Sequence, residues 1–397
     1  MITYLIMVMY CLLMYSSDAL YDKPLVTIVA KGLVGTDPQL ERIIENEQFV
    51  EWRIITEKVK YRDIRNSSLI ILVKVNPIAN FTEDEIEALV KWFNQGLKVL
   101  WVSSEGDYGE GFLRQIEINR VLKAIDSKLR VEYASVQDPF LNAGTAYRVL
   151  GVPCGPLWAK ALTQNVKKVL FHTPSPIIAL VNDTYVKLEE ENIPNIYKIM
   201  CSSNGSFIAN FNPPKPQVHT IGELGSTVLM ALEVFNDKKS IVIVTGAAPF
   251  NHFIGMYMPK VKDPSVYGKV EEEGATLVRN IIILGINPHL LFEVTNLVSQ
   301  LLLKEEELIV LKRKIAMLQE ELKALNIELK AREEEIANLS SELKTARDVL
   351  EELREQIRKT VKEASLLKVL LFLLIIFSFI LGLSLHRLSK SSIKRGP

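Results

Sequence analysis

Apolar residues change their spacing three times along the chain. Between residues 24 and 125, short continuous runs alternate with helix-period segments. Residues 25–30 and 52–55 read as short strands, 69–73 is continuously apolar as a strand buried on both faces would be, and 98–102 reads as the next buried strand. Residues 37–46, 83–94 and 110–125 repeat their apolar positions every three to four residues, as helices do. The helix over 83–94 opens with Thr82-Glu83-Asp84-Glu85, a capping box, and Asn94-Gln95-Gly96 stops it. Strands alternating with helices of this length predict a parallel sheet covered on both faces. From 150 to 216 the pattern turns β-rich and proline-punctuated, with short strands at 169–171, 177–181 and 206–210. Periodicity allows helix or strand over 227–235. The Asn236-Asp237 turn before 240–245 selects a hairpin.

Beyond 300 the spacing becomes a heptad. Leu308, Leu311, Ile315, Leu318, Leu322, Leu325 and Leu329 begin an a/d track that continues to Leu367, broken in the d row by Arg332 and Thr360. No Pro or Gly falls between Leu290 and Leu381. The pattern predicts a coiled-coil stalk over 301–365, self-associated or paired with a different chain. Residues 366–385 follow, with no charge after Lys368, and predict one transmembrane helix before a basic cytoplasmic tail at 386–397. At the other end, 2–15 is apolar and Ser17-Asp18-Ala19 offers small residues for cleavage, so 1–19 reads as a signal peptide, cleaved or retained as an anchor. Residues 20–290 then form a head outside the cytoplasm, and the expected location is the plasma membrane, single-pass.

Composition changes this picture little. Lys plus Arg and Asp plus Glu each number 47, so zero net charge gives no case for nucleic acid as a partner. Cys11 lies in the signal segment, and Cys154 and Cys201 remain to form one disulfide or two buried thiols. Asn66, Asn80, Asn182, Asn204 and Asn338 each begin a glycosylation sequon. His172, His219, His252 and His289 are too scattered for a zinc site, and no phosphate loop is present. Neither metal nor cofactor is expected.

Several stretches resemble a known group. Ser68-Leu69-Ile70-Ile71-Leu72-Val73, then Phe81 to Gly96 with Trp92 before the closing glycine, then Val99-Leu100-Trp101-Val102, are similar to class I glutamine-amidotransferase-like domains. The resemblance is to membrane-attached versions, such as those beside ABC transporters and in intraflagellar-transport proteins. Asp138, Asn142, Gly144 and Tyr147 fit a further segment of these domains, and 242–246 with 280–284 fit the last strand and closing helix. The resemblance spans about 24–286 and implies an amidotransferase-like, flavodoxin-like parallel sheet with a β-rich extension.

Enzymes of that group carry a cysteine on a G-x-C-x-G turn and a downstream His-x-Glu. This chain has Val102-Ser103-Ser104-Glu105-Gly106 in that place, with Ser104 at the cysteine position, and no histidine of the head lies in a His-x-Glu pair. A serine nucleophile needs a base in reach, so no catalysis is expected. The turn still lies at the edge where open α/β sheets bind ligands, which makes Ser103, Ser104, Glu105 and Asp107 the candidate ligand-facing patch. The function expected is a non-catalytic, membrane-anchored surface protein presenting a binding head, with envelope proteins or a ligand as partner. The alternative is an accessory subunit of a transporter, or a glycan- or small-molecule-processing enzyme using the same head.

Overall fold

A run such as Leu69 to Val73 can bury every side chain only if helices cover both sides of its sheet. The computed structural model builds that arrangement. It describes residues 23–156, 159, 161–250, 254–257, 272–289, 293, 300, 304, 307–325, 350–362 and 364–365. The chain divides into two units, Met1–Leu302 and Leu303–Pro397.

In the first unit the strands are β1 (Leu25–Lys31), β2 (Glu51–Ile55), β3 (Leu69–Lys74), β4 (Val99–Ser103), β5 (Leu129–Val131), β6 (Ser135–Gln137) and β7 (Arg148–Pro153). They continue with β8 (Val169–His172), β9 (Ile177–Val181), β10 (Thr184–Lys187), β11 (Ile196–Cys201), β12 (Phe207–Ala209), β13 (Val228–Phe235) and β14 (Ser240–Thr245). Helices are α1 (Pro38–Asn46), α2 (Tyr61–Ile64), α3 (Glu83–Phe93), α4 (Gly111–Ala124) and α5 (Gly274–Gly285). One nine-stranded sheet runs β2-β1-β3-β4-β14-β13-β11-β7-β8, beside small sheets β10-β9-β5 and β12-β6. The strands from β2 to β14 pair in parallel. Those from β14 to β8 pair antiparallel. Order reverses between β1 and β3, which is the topological switch point.

Local signals explain the helices. Asp37 Oδ1 accepts from the Gln39 and Leu40 amides at the start of α1. Glu85 Oε2 accepts from the Thr82 amide, the return half of the capping box of α3. One sheet face packs Ile28, Ile71, Trp101 and Ile243 with α1 and α5. The other packs Ile70, Leu72, Leu100 and Val242 with Leu89, Trp92 and Ile118 of α3 and α4. The two largest buried rings keep their donors satisfied: Trp92 Nε1 donates to Ser67 O and Trp101 Nε1 to Thr245 Oγ1. Cys154 and Cys201 are bonded and tie the end of β7 to β11.

Three expectations are corrected. The main sheet is mixed rather than parallel, because the β-rich stretch does not form a separate extension. β13 is buried along nearly its whole length and pairs directly with β14, so β11, β7 and β8 extend the same sheet. The coiled-coil stalk is not found as a continuous element: the described helical runs are 307–325 and 350–362, and 326–349 lies outside the described residues. The seam residues Leu308, Leu311, Ile315, Leu318, Leu322 and Leu325 are all exposed. A heptad stripe stabilises a helix through burial against a partner, and in the single chain these side chains are not buried. The single-pass membrane location is also overturned: among the described residues no helix is long and apolar enough to cross a membrane. The segments expected to be signal peptide (1–19), membrane helix (366–385) and tail (386–397) lie outside the described residues.

Candidate functional site

The carboxyl ends of β1, β3 and β4 define the edge where a ligand of this sheet type would sit. After β4 the chain makes the turn Ser103-Ser104-Glu105-Gly106-Asp107. Ser104 is 1 % exposed, and its Oγ donates to Glu105 O at 3.3 Å. Its amide donates to Thr245 O at 2.9 Å. Ser103 Oγ donates to Leu72 O at 3.2 Å. Above the turn lies the segment after β8: Gly106 N donates to Thr173 O at 2.6 Å, and Ser175 Oγ donates to Glu105 O. A Cβ on Gly106 would collide with Ser135 Oγ of β6 and lie 2.9 Å from Thr173 O, so glycine lets both segments pack against the turn. Glu105 pairs with Arg114 at 3.2 Å.

Asp107 is wholly buried. Its Oδ1 accepts from Ser135 Oγ at 2.7 Å, and its Oδ2 accepts from Asn210 Nδ2 at 2.7 Å and from the Phe211 and Asn212 amides. The carboxylate thus organises the loop after β12. Of the four residues expected to face a ligand, Ser103, Ser104 and Asp107 face inward, and Glu105 is half-buried against an arginine.

The switch point between β1 and β3 is filled in a similar way. Both strands end in lysine. Lys31 Nζ bonds Glu85 Oε1 at 2.6 Å, and the same carboxylate accepts from the Val59 amide. Burial works against the Glu85 charge, yet the bonds from Lys31, Thr82 and Val59 hold its carboxyl below the usual range. Lys74 Nζ donates to Asn80 Oδ1 at 2.7 Å and Leu113 O at 3.2 Å. Burial pushes it down to about 8, against the attraction of Glu117 and with Arg114, Arg120 and Lys31 adding to the fall. The loops leaving the two strands also touch: a Cβ on Gly32, whose φ is +75°, would lie 2.6 Å from Asn76 Cβ.

The edge exposes several large apolar side chains among polar ones. Tyr108 is 68 % exposed and packs edge-on against Phe211, with ring centroids 5.4 Å apart. Val34 after β1, Ile78 after β3 and Phe140 between β6 and β7 are exposed as well. Asp138 and Tyr147 of the resembling segment shape local structure: Asp138 Oδ1 accepts from the Phe140 and Leu141 amides, and Tyr147 packs edge-on against His172. Burial, then the Arg148 charge, pushes His172 down to about 4, so it is neutral at physiological pH. Asn66, Asn80, Asn182 and Asn204 are exposed, although Asn80 is engaged by Lys74, and Asn338 lies outside the described residues. Among the described residues no group of three or more His, Cys, Asp or Glu is placed to hold a metal.

Sequence reasoning missed two groups. A lysine closing each of two buried strands was a readable signal for Lys31 and Lys74. The second, Glu132, Glu189 and His219, gathers around one imidazole from three separated segments. No spacing rule could have joined them.

No protein-family model matches the chain, and no curated protein matches it. Two solved structures are similar to it. One is an mmIFT52 N-terminal domain, 11 % identical, covering 66 % of this chain and 97 % of its own, with a TM-score of 0.43. The other is a putative GMP synthase protein from Thermoplasma acidophilum, 10 % identical, covering 70 % and 99 %, with a TM-score of 0.35.

Proposed function

We propose that the chain is a non-catalytic recognition module on an amidotransferase-like α/β fold, engaging a protein partner through the aromatic rim beside its β4 turn. The observation that carries this is the contrast within five residues. Ser104, at the nucleophile position, is buried in a turn whose next two residues bond Ser175 and Thr173, while Tyr108 is turned outward and braced by Phe211. Leaving large apolar side chains in water forfeits roughly 1.5–3 kcal/mol each relative to burial. Apolar surface held rigidly outward at a sheet edge is what an interface core requires.

The test places a photo-crosslinking amino acid at position 108 of the full chain in its native cells, with position 54, exposed on the edge strand β2, as control. A partner captured from 108, absent from 54 and lost in Phe211→Ser, supports the module. Equal capture from both positions, or a hydrolytic activity abolished by Ser104→Ala, overturns it.

A further inference from the structure

Residues 210–227 join β12 to β13 without helix or strand, which is long for a connection inside a folded domain. Two buried polar knots hold this segment. The first is Asp107, which fixes its start at Asn210, Phe211 and Asn212. The second lies in its middle, at His219. Glu132, wholly buried after β5, turns Oε1 to the Val218 and His219 amides at 2.7 and 3.1 Å and Oε2 to His219 Nδ1. Glu189, after β10, bonds the Val228 amide at the start of β13 through Oε1 and faces His219 Nε2 through Oε2 at 3.6 Å.

A carboxylate on each side of the ring favours an imidazolium. A neutral ring would keep its proton on one nitrogen and turn a lone pair on the other toward a carboxylate. One metal ion could not substitute for the ring, since the carboxylates face opposite nitrogens. Glu223, from the segment itself, also feels the charge of the ring, and it is bonded by Lys187 of β10, which bonds Glu190 as well.

We propose that Glu132, His219 and Glu189 form a proton-operated latch. It holds the middle of the 210–227 segment against β5 and β13, and loss of the imidazolium proton frees that stretch while Asp107 keeps its start in place. The latch does not depend on what the rim binds. Burial alone would pull His219 down, but the bond to Glu132 and the facing charge of Glu189 outweigh it and push the ring up to about 9. A group raised in this way stabilises fully below its unfolded value near 6.5 and loses that contribution as pH rises through about 9. The latch is therefore closed at neutral pH and opens in alkali.

Hydrogen–deuterium exchange of the full chain from pH 7 to 10, corrected for intrinsic rates, tests it. The expected result is at least a tenfold loss of protection at Val218 and His219 across pH 9, with β14 amides unchanged. His219→Gln is expected to show the open pattern already at pH 7. The latch is overturned if these amides stay protected through pH 10, if His219→Gln protects them as wild type does, or if β14 opens at the same pH. Should His219→Gln fail to fold, the wild-type series alone decides.

Discussion

In the half of the sheet formed by β2, β1, β3, β4 and β14, apolar side chains fill both faces of β1, β3, β4 and β14, and Lys31 and Lys74 lie at strand ends. The half formed by β13, β11, β7 and β8 uses other ties. Cys154–Cys201 joins β7 to β11. Glu233 of β13 accepts from Ser127 Oγ and the Lys128 amide, its carboxyl raised by burial. Glu272 accepts from the Leu170 amide of β8. Helices cover the parallel strands because every parallel crossover carries chain over a face of the sheet. The antiparallel strands share the apolar core through Val149, Phe171, Met200 and Leu232, and add a cross-link and buried carboxylates to it. The first half should respond to lost volume, the second to redox state and pH.

The largest break falls in the first half. Trp101→Ala removes a wholly buried indole and its bond to Thr245, and is expected to cost up to about 5 kcal/mol. The loss should be nearly the same at pH 5 and pH 8 in urea unfolding. A strongly pH-dependent loss would erase the contrast between the halves.

Reduction attacks the second half. The disulfide closes a loop with a sequence separation of 47. In the chain-entropy account such a loop stabilises by about 4 kcal/mol. Thermal unfolding with and without reductant, beside Cys154→Ala with Cys201→Ala, should show equal drops in Tm. An unchanged Tm would mean that β11 is held by its ladder alone.

These outcomes also bear on what could be read in advance. β1, β3 and β4 are legible because each is a continuous apolar run, and α3 because Thr82 and Glu85 mark its start. β7 and β11 are not, since Gly151 and Pro153 interrupt one, and the other is a strand only through partners about 30 to 50 residues away. Position predicted the Ser103–Asp107 turn, but its burial is set by Ser135, Ser175 and Asn210, far along the chain. The heptads of the second unit express a capacity for burial, which one chain does not realise.

A smaller effect, of opposite sign, belongs to Glu272. Burial, with the Glu273 charge adding and the Leu170 and Gly274 amides opposing, pushes this carboxyl up to about 7, and its Oε1 has no hydrogen-bond partner among the described residues. A raised acid stabilises fully below its unfolded value near 4.5 and loses that contribution as pH rises through about 7. Glu272→Gln should therefore leave stability at pH 4 nearly unchanged and raise it by ~2–3 kcal/mol at pH 8. A variant less stable than wild type at pH 8 would show that the charged form is the one the fold uses.

The smallest expected effect lies within the first half, beside its border with the second. Ser104 follows the parallel strand β4, and its backbone amide bonds Thr245 of β14, the last parallel strand before β13 turns the sheet antiparallel. The hydroxyl makes one long bond to the carbonyl of the next residue. Ser104→Ala keeps the backbone tie and removes a weak bond together with its buried donor, so the net cost should stay under about 1 kcal/mol. Ser103→Ala is the sharper comparison, since it takes from Leu72 O the hydroxyl donor that reaches it across β3 and β4. If Ser104→Ala costs more than Ser103→Ala, or removes a turnover that Ser103→Ala leaves intact, the sealed turn is working as a reactive one.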